Sequence, residues 1–328
     1  MVALPKNTLF ENTLPKTLMA EEASQPRRCR YKRSPLETSL TSLTPVRVKI
    51  LRYLAELRFL SLPQIARLCC PSERQDLSEK NTRRHMRVLF DAGLVDALPV
   101  SRAALAPPHA PNDASLLYGS APNVYVPTTQ ALKLLCRLGL IDEELLKRPA
   151  PAYGPRNSLF LAHELAVRDA RVWLEEVARN GRYNLDRWYD GEAAAINLGQ
   201  NRVLLQSPFL LRPDAWFVLQ VHEAVLVGLL EVDRGTERGE RHWQEKLDAY
   251  TTLFATGCLK RATGYQNARI LVLTPDQKRR DHLAALITKH AESISVRFWL
   301  TIWDAPNTPN LTRAAWRRPG SEALHSLL

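Results

Sequence analysis

Residues 61–95 read SLPQIARLCCPSERQDLSEKNTRRHMRVLFDAGLV, and two helical signals stand in that stretch with a polar turn between them. Ser61 is placed to cap a short helix over 62–68, with Pro63 in its first turn, where a missing N–H has no helical partner to lose. Residues 72–78 are polar and read as the turn. A longer helix follows over 79–92 and stops at Gly93, the residue type suited to a left-handed position just past a helix end. Its apolar positions are Met86, Leu89 and Phe90, and the remainder is largely basic or polar.

Outward from this stretch the pattern continues on both sides. Upstream, Val46, Ile50, Leu51, Leu54 and Leu57 recur at three- and four-residue steps and predict an amphipathic helix. Downstream, a strand at Val95, a Pro/Ala-rich excursion over 99–122, a second strand at 124–126 and a helix over 130–138 capped by Thr128 or Thr129 complete a wing. Helix, short helix, turn, basic helix and wing form a winged helix-turn-helix over 45–147, whose third helix enters the major groove of double-stranded DNA. Lys80, Asn81, Thr82, Arg83, Arg84 and Arg87 are the contact candidates, because base edges and phosphates call for small polar and cationic side chains. Arg27, Arg28 and Arg30 stand in an aperiodic segment, 1–44, that reads as a flexible basic arm for DNA backbone or minor groove. The competing reading is a three-helix bundle with a solvated basic face.

Composition agrees with a polyanion partner. Lys and Arg number 45 against 34 Asp and Glu, a formal charge of +11. No apolar run approaches the ~20 residues that span a bilayer, so no membrane role is expected. Five cysteines, two of them adjacent, argue for a reducing, cytoplasmic setting, and without paired C-x₂-C spacings no zinc is expected, nor any organic cofactor.

Three prolines and a glycine over 148–157 predict a linker. Beyond it, 158–305 alternates helix (158–179), strands (185–189, 209–221, 224–232), helix (240–255), strand (269–273), helix (277–290) and strand (296–302). Residues 306–328 read as a C-terminal tail. Asp214 follows Pro213 in the second strand, and Glu231 and Asp233 end the third, on one face by period-two alternation. Three carboxylates gathered at a strand end repel unless protonated, paired or bridged by a hard cation such as Mg²⁺. Lys246, in the next helix, is placed to reach them.

Order and spacing resemble the PD-(D/E)xK nuclease superfamily, with Pro213-Asp214 and Glu231-Val232-Asp233 as the matches. Asp233 takes the motif's lysine position, and Lys246 would be a lysine relocated to the following helix. The resemblance implies a fold class of α+β, a winged helix-turn-helix followed by an α/β restriction-endonuclease-like domain. It also implies Asp214, Glu231 and Asp233 as metal ligands and, with Lys246, as the catalytic set. A broader resemblance, carried by His163-Glu164-Leu165-Ala166-Val167-Arg168-Asp169, Arg212-Pro213-Asp214, EVDRGTE over 231–237 and Lys246-Leu247 with Tyr250, is to the replication-relaxation family of bacterial plasmids and mobile elements. What it implies is a role in replication, DNA relaxation or mobilisation, with a relaxase or replication proteins, or a second copy of the chain, as partners.

Three readings stay open on these residues. One is a DNA-binding protein of a mobile element whose nuclease-like domain does not cut. The second is an active Mg²⁺-dependent endonuclease or nickase, and the third a transcriptional regulator. The individual residues also have plainer readings: Glu231 and Asp233 as members of a salt-bridge cluster, Lys246 as a surface lysine, Trp243 and Tyr250 as core.

Overall fold

The computed structural model describes residues 43–98, 100, 123–147, 158–199, 210–236, 239–303, 311 and 313–328. The arm with Arg27, Arg28 and Arg30, nearly all of the 99–122 excursion and the 148–157 linker lie outside the described residues.

Ser61 does cap the short helix, and reciprocally: its backbone N–H donates to Gln64 Oε1 at 2.9 Å while its Oγ accepts from Gln64 N at 3.5 Å. The N-terminal elements run α1 (Pro45–Leu57), β1 (Leu60–Ser61), α2 (Leu62–Cys69), α3 (Gln75–Asp91), β2 (Val95–Leu98), β3 (Val124–Pro127), α4 (Thr129–Arg137) and α5 (Glu143–Lys147). β3 lies between β1 and β2 in an antiparallel sheet, and α1, α2, α3 and α4 close over one core that includes Ile50, Leu54, Ile65, Met86 and Leu135. α3 starts at Gln75, earlier than the sequence pattern predicts. Ser78, expected in the turn, is a buried helical residue whose hydroxyl donates to Cys70 O at 2.6 Å, so its polarity serves the turn from inside the helix.

The remaining elements are α6 (Ser158–Gly181), β4 (Asn184–Asp190), β5 (Ile196–Asn197), β6 (Leu210–Leu211), β7 (Ala215–Val221), β8 (Ala224–Val232), α7 (Glu240–Ala255), α8 (Cys258–Thr263), β9 (Arg269–Thr274), α9 (Gln277–His290), β10 (Phe298–Ile302), β11 (Trp316–Arg317) and β12 (Leu324–His325). They form a mixed seven-stranded sheet in the order β12-β11-β10-β9-β8-β7-β4. β4, β7 and β8 are an antiparallel meander; β8, β9 and β10 are parallel, with α7 and α8 and then α9 making the crossovers. The fold is thus mixed α/β with one large mixed sheet.

Alternation along the strands sorts the two layers. Trp216, Val218, Val227 and Leu229 pack under α7 and α9, while Phe217, Leu219, Leu226 and Leu230 pack against Trp173 and Leu174 of α6. Gly228 faces Phe217 across β7 and β8, and a Cβ there would sit 2.3 Å from the phenyl ring.

Three details depart from expectation. The strand expected at 209–221 is broken at Arg212 to Asp214; Pro213 has no N–H to offer a ladder, and β6 pairs instead with β5. The first two residues of the strand expected at 296–302 belong to a 3₁₀ turn, Glu292–Arg297. Residues 313–328, read as part of a tail, supply β11 and β12, and Trp316 and Leu327 are fully buried against the α6 layer. Two-residue strands leave too short a pattern for alternation to register.

α6 serves both groups of elements. Leu161 and Leu165 pack with Phe59 and Val124 of the first, whereas Val167, Ala170, Trp173 and Leu174 pack on the sheet. Arg168, 1% exposed, fixes the junction: its Nε donates to Leu57 O at 2.9 Å, its Nη1 to Asp190 at 3.1 Å and its Nη2 to Glu164 at 3.2 Å. Gln64 reaches Asp169 at 2.8 Å, and Arg67 pairs with Glu176.

Candidate functional site

On β8 the odd-numbered residues 227 and 229 face α7, so the next one, Glu231, is directed there too. It is 1% exposed, yet neither oxygen is bare. Oε1 accepts the Tyr250 hydroxyl at 2.6 Å and Oε2 accepts Lys246 Nζ at 2.5 Å. Lys246 and Tyr250 are four residues apart, one turn of α7, which places both on the face turned to β8.

Asp214 enters from the chain just before β7. Its backbone N–H donates to Leu230 O, its Oδ2 accepts the Val232 N–H at 2.7 Å, and its Oδ1 accepts His163 Nε2 of α6 at 2.9 Å. Asp233 is drawn away by α9. Arg279 grips it with Nε at 3.0 Å and Nη2 at 2.7 Å, while Trp243 Nε1 and the Gly235 N–H fill the remaining positions. All six oxygens of the three acids therefore have donors.

The environment separates their protonation. Burial pushes the Glu231 carboxyl up to about 6 against the pull of Lys246. Burial also raises the Asp214 carboxyl, but the His163 hydrogen bond and the Lys246 charge outweigh it and hold that group below the usual aspartate range. Burial disfavours the His163 cation, but Asp214 and Glu164 more than offset that and the ring keeps its proton to higher pH than usual. The Tyr250 hydroxyl is pushed well above its ordinary value by burial and by Glu231, so it stays a donor.

His163, Asp214, Glu231 and Lys246 open on a pocket of about 600 Å³, shared with Phe160, Arg212 and Arg234. A larger cleft, about 1240 Å³, is lined by α2, α3 and α6, but there Arg67 and Glu176 neutralise one another. Of the four residues read as catalytic, Asp214, Glu231 and Lys246 are brought together; Asp233 borders the same pocket but is committed to Arg279. Among the described residues no group of three His, Cys, Asp or Glu is arranged to hold a metal. A Mg²⁺ ion at Asp214 and Glu231 would share their oxygens with His163, Lys246, Tyr250 and the Val232 N–H, each of which already donates to one of them.

The second candidate surface is α3. Ser78, Thr82, Met86 and Leu89 form its buried face. Lys80, Asn81, Arg83 and Arg84 are exposed, with Arg83 tied to Glu79 at 2.7 Å. Arg87 is half-buried and paired with Asp91 at 2.8 Å. Thr82, a contact candidate by residue type, is fully buried and donates to Ser78 O, because its spacing from Ser78 and Met86 puts it on the apolar stripe.

His163 and Tyr250 were not legible as site residues, although both stand in the strings HELAVRD (163–169) and KLxxY (246–250) that carry the family resemblance. A model of the replication-relaxation family matches residues 51–268, well over half the chain. The chain belongs to the replication-relaxation family. The matched stretch holds α3 and every residue of the Asp214–Glu231 network, from His163 to Tyr250, and ends before Arg279. Membership points to a role in replication or relaxation. Searches of curated proteins and of solved structures give no match. Among the described residues no helix is long and apolar enough to cross a membrane.

Proposed function

We propose that this chain binds double-stranded DNA in the replication, relaxation or mobilisation of a bacterial plasmid or other mobile element, with α1 to β3 as a winged helix-turn-helix and the seven-stranded unit as a PD-(D/E)xK-like fold that does not cut. The observation that carries it is the outward face of α3. It offers Lys80, Asn81, Arg83 and Arg84 at the third helix of a helix, short helix, helix and hairpin series, the geometry suited to a major groove. Support for the nuclease-like ancestry is the order α6, antiparallel meander, α7, parallel strand. Support for its loss of cutting is the closed set of hydrogen bonds on Asp214, Glu231 and Asp233. A relaxase, a replication protein or a second copy would be the protein partner.

Two measurements test this. Duplex binding by the full chain should weaken with added salt, and Lys80→Ala with Arg84→Ala should reduce the log–log salt slope by about 2; an unchanged slope would remove α3 from the interface. Supercoiled plasmid with Mg²⁺ or Mn²⁺ should stay intact. Nicking lost in Asp214→Ala and Glu231→Ala would replace the non-cutting reading with a metal-dependent nickase.

A further inference from the structure

At the end of β8 opposite Glu231, about 20 Å away by strand rise, a second concavity of about 530 Å³ opens. Its walls come from the β7–β8 hairpin, where Val221 and Val225 sit, and from the first residues of β9 and β10. Arg269, Arg297 and Arg318 line it beside Leu328, and among the described residues no Asp or Glu side chain does. All three lie beyond the stretch that matches the family.

Two of these guanidinium groups share one ring: Arg269 Cζ is 4.6 Å and Arg318 Cζ 5.3 Å from the centre of Trp299. Arg297 lies 4.2 Å over Phe254. Among the described residues none of the three is in an ion pair, whereas Arg279, Arg280 and Arg317 each hold an aspartate. Arg269 donates to the carbonyl of Leu327 and Arg297 to Asn267 Oδ1, both neutral, and Arg318 Nε is buried with no hydrogen-bond partner. Burial, then the charge of Arg318, makes the Arg269 cation harder to hold than usual. Aromatic faces soften such crowding less than an anion would.

The shape and charge narrow the ligand. The volume is that of a small-molecule site, not of a flat protein interface. A carboxylate or a phosphodiester brings one negative charge; a phosphate monoester brings nearly two, with oxygens spaced for the guanidinium fork. A through-running single strand would need a free aromatic face for stacking, and Trp299 already carries two arginines. The exposed side chains of Val225 and Val296 offer an apolar wall for whatever bears the phosphate.

We propose that this concavity binds a phosphate monoester borne on a nucleoside, either a free nucleotide or the terminal phosphate of a DNA strand. Phosphate oxygens would take the adjacent charges of Arg269 and Arg318, with Arg297 beside them in the lining, while the sugar and base lie along Val225 and Val296. The site is independent of α3, so the loss of either reading leaves the other standing.

Calorimetric titration of the full chain tests it with AMP, a short 5′-phosphorylated single strand, its 5′-hydroxyl twin, inorganic phosphate and a Glu/Leu peptide. AMP or the phosphorylated strand should bind, the first alone marking a free-nucleotide site and the second alone a strand-end site. The hydroxyl twin and inorganic phosphate should bind at least about tenfold more weakly. Arg318→Gln and Arg297→Gln should each cost about tenfold or more, with melting curves showing that the variants are folded and each variant standing in if the other is not. Arg84→Ala should bind AMP as wild type does. The proposal is overturned by no binding of either phosphomonoester, by equal affinity for the hydroxyl strand or inorganic phosphate, by peptide binding in their place, or by folded variants that bind as before.

Discussion

Lys246 Nζ lies 2.5 Å from Glu231 Oε2, so the helix after β8 carries the cation that position 233, an aspartate, does not supply. The pair is buried on the Glu231 side and closed by Tyr250 on the other oxygen. Removing one partner leaves an uncompensated group in a low-dielectric setting. Lys246→Met should destabilise the chain by about 3 kcal/mol in urea unfolding. Adding Glu231→Gln should recover part of that loss. Strict additivity of the two single changes would mean that the contact carries no coupling.

The pH dependence has a definite sign. The folded Glu231 carboxyl titrates at about 6, above its ordinary 4.5. Its stabilising contribution is complete below about 4.5 and is lost as pH rises through 6. The His163 proton, held above its ordinary 6.5, acts in the same direction as pH rises further. Asp214, held below 3.8, acts oppositely and only in more acidic solution. Urea midpoints should therefore fall between about pH 4.5 and 7, and Glu231→Gln should flatten the lower part of that decline. An identical slope in the variant would show that Glu231 does not titrate there.

Thr82 and Arg84 should separate stability from binding. Thr82→Ala removes a hydroxyl bonded within the buried face of α3, so it should lower stability by about 1 kcal/mol and leave duplex affinity per folded molecule unchanged. Arg84→Ala should do the reverse. Gel shifts at matched salt beside thermal melts read both effects, and a loss of affinity in folded Thr82→Ala would put that side chain at the interface.

Arg168 is the most deeply buried charged side chain in the junction. Arg168→Met retains its bulk but leaves Leu57 O, Glu164 and Asp190 short of a donor, at a cost of about 3 kcal/mol or more. The two groups of elements should then melt in separate calorimetric transitions. A single unshifted transition would mean that the apolar contacts of Leu161 and Leu165 hold the junction unaided.

How far the sequence could be read depended on the length of the signals. Elements with long periodic faces stand where the pattern puts them: α7 and α9 match to the residue, and Ser61 and Thr128 cap the helices expected of them. α8, the β5–β6 ladder, β11 and β12 are too short for a period to show. In the site, Glu231 and Lys246 could be paired because a strand end and a helix face have fixed directions. His163 joins them from a distant helix, a contact that depends on how α6 crosses the sheet. Asp233 depends on the same kind of contact: strand alternation puts it beside Glu231, and the approach of α9 brings Arg279 to pair with it.

The junction built on Arg168, Gln64 and Arg67 is made of directional bonds, which tolerate little rotation, and so it works as a ruler and not as a hinge. A duplex seated on α3 would present the same helical phase to the Asp214 pocket each time. Sliding the recognised sequence by half a helical turn would then turn the opposite groove toward that pocket.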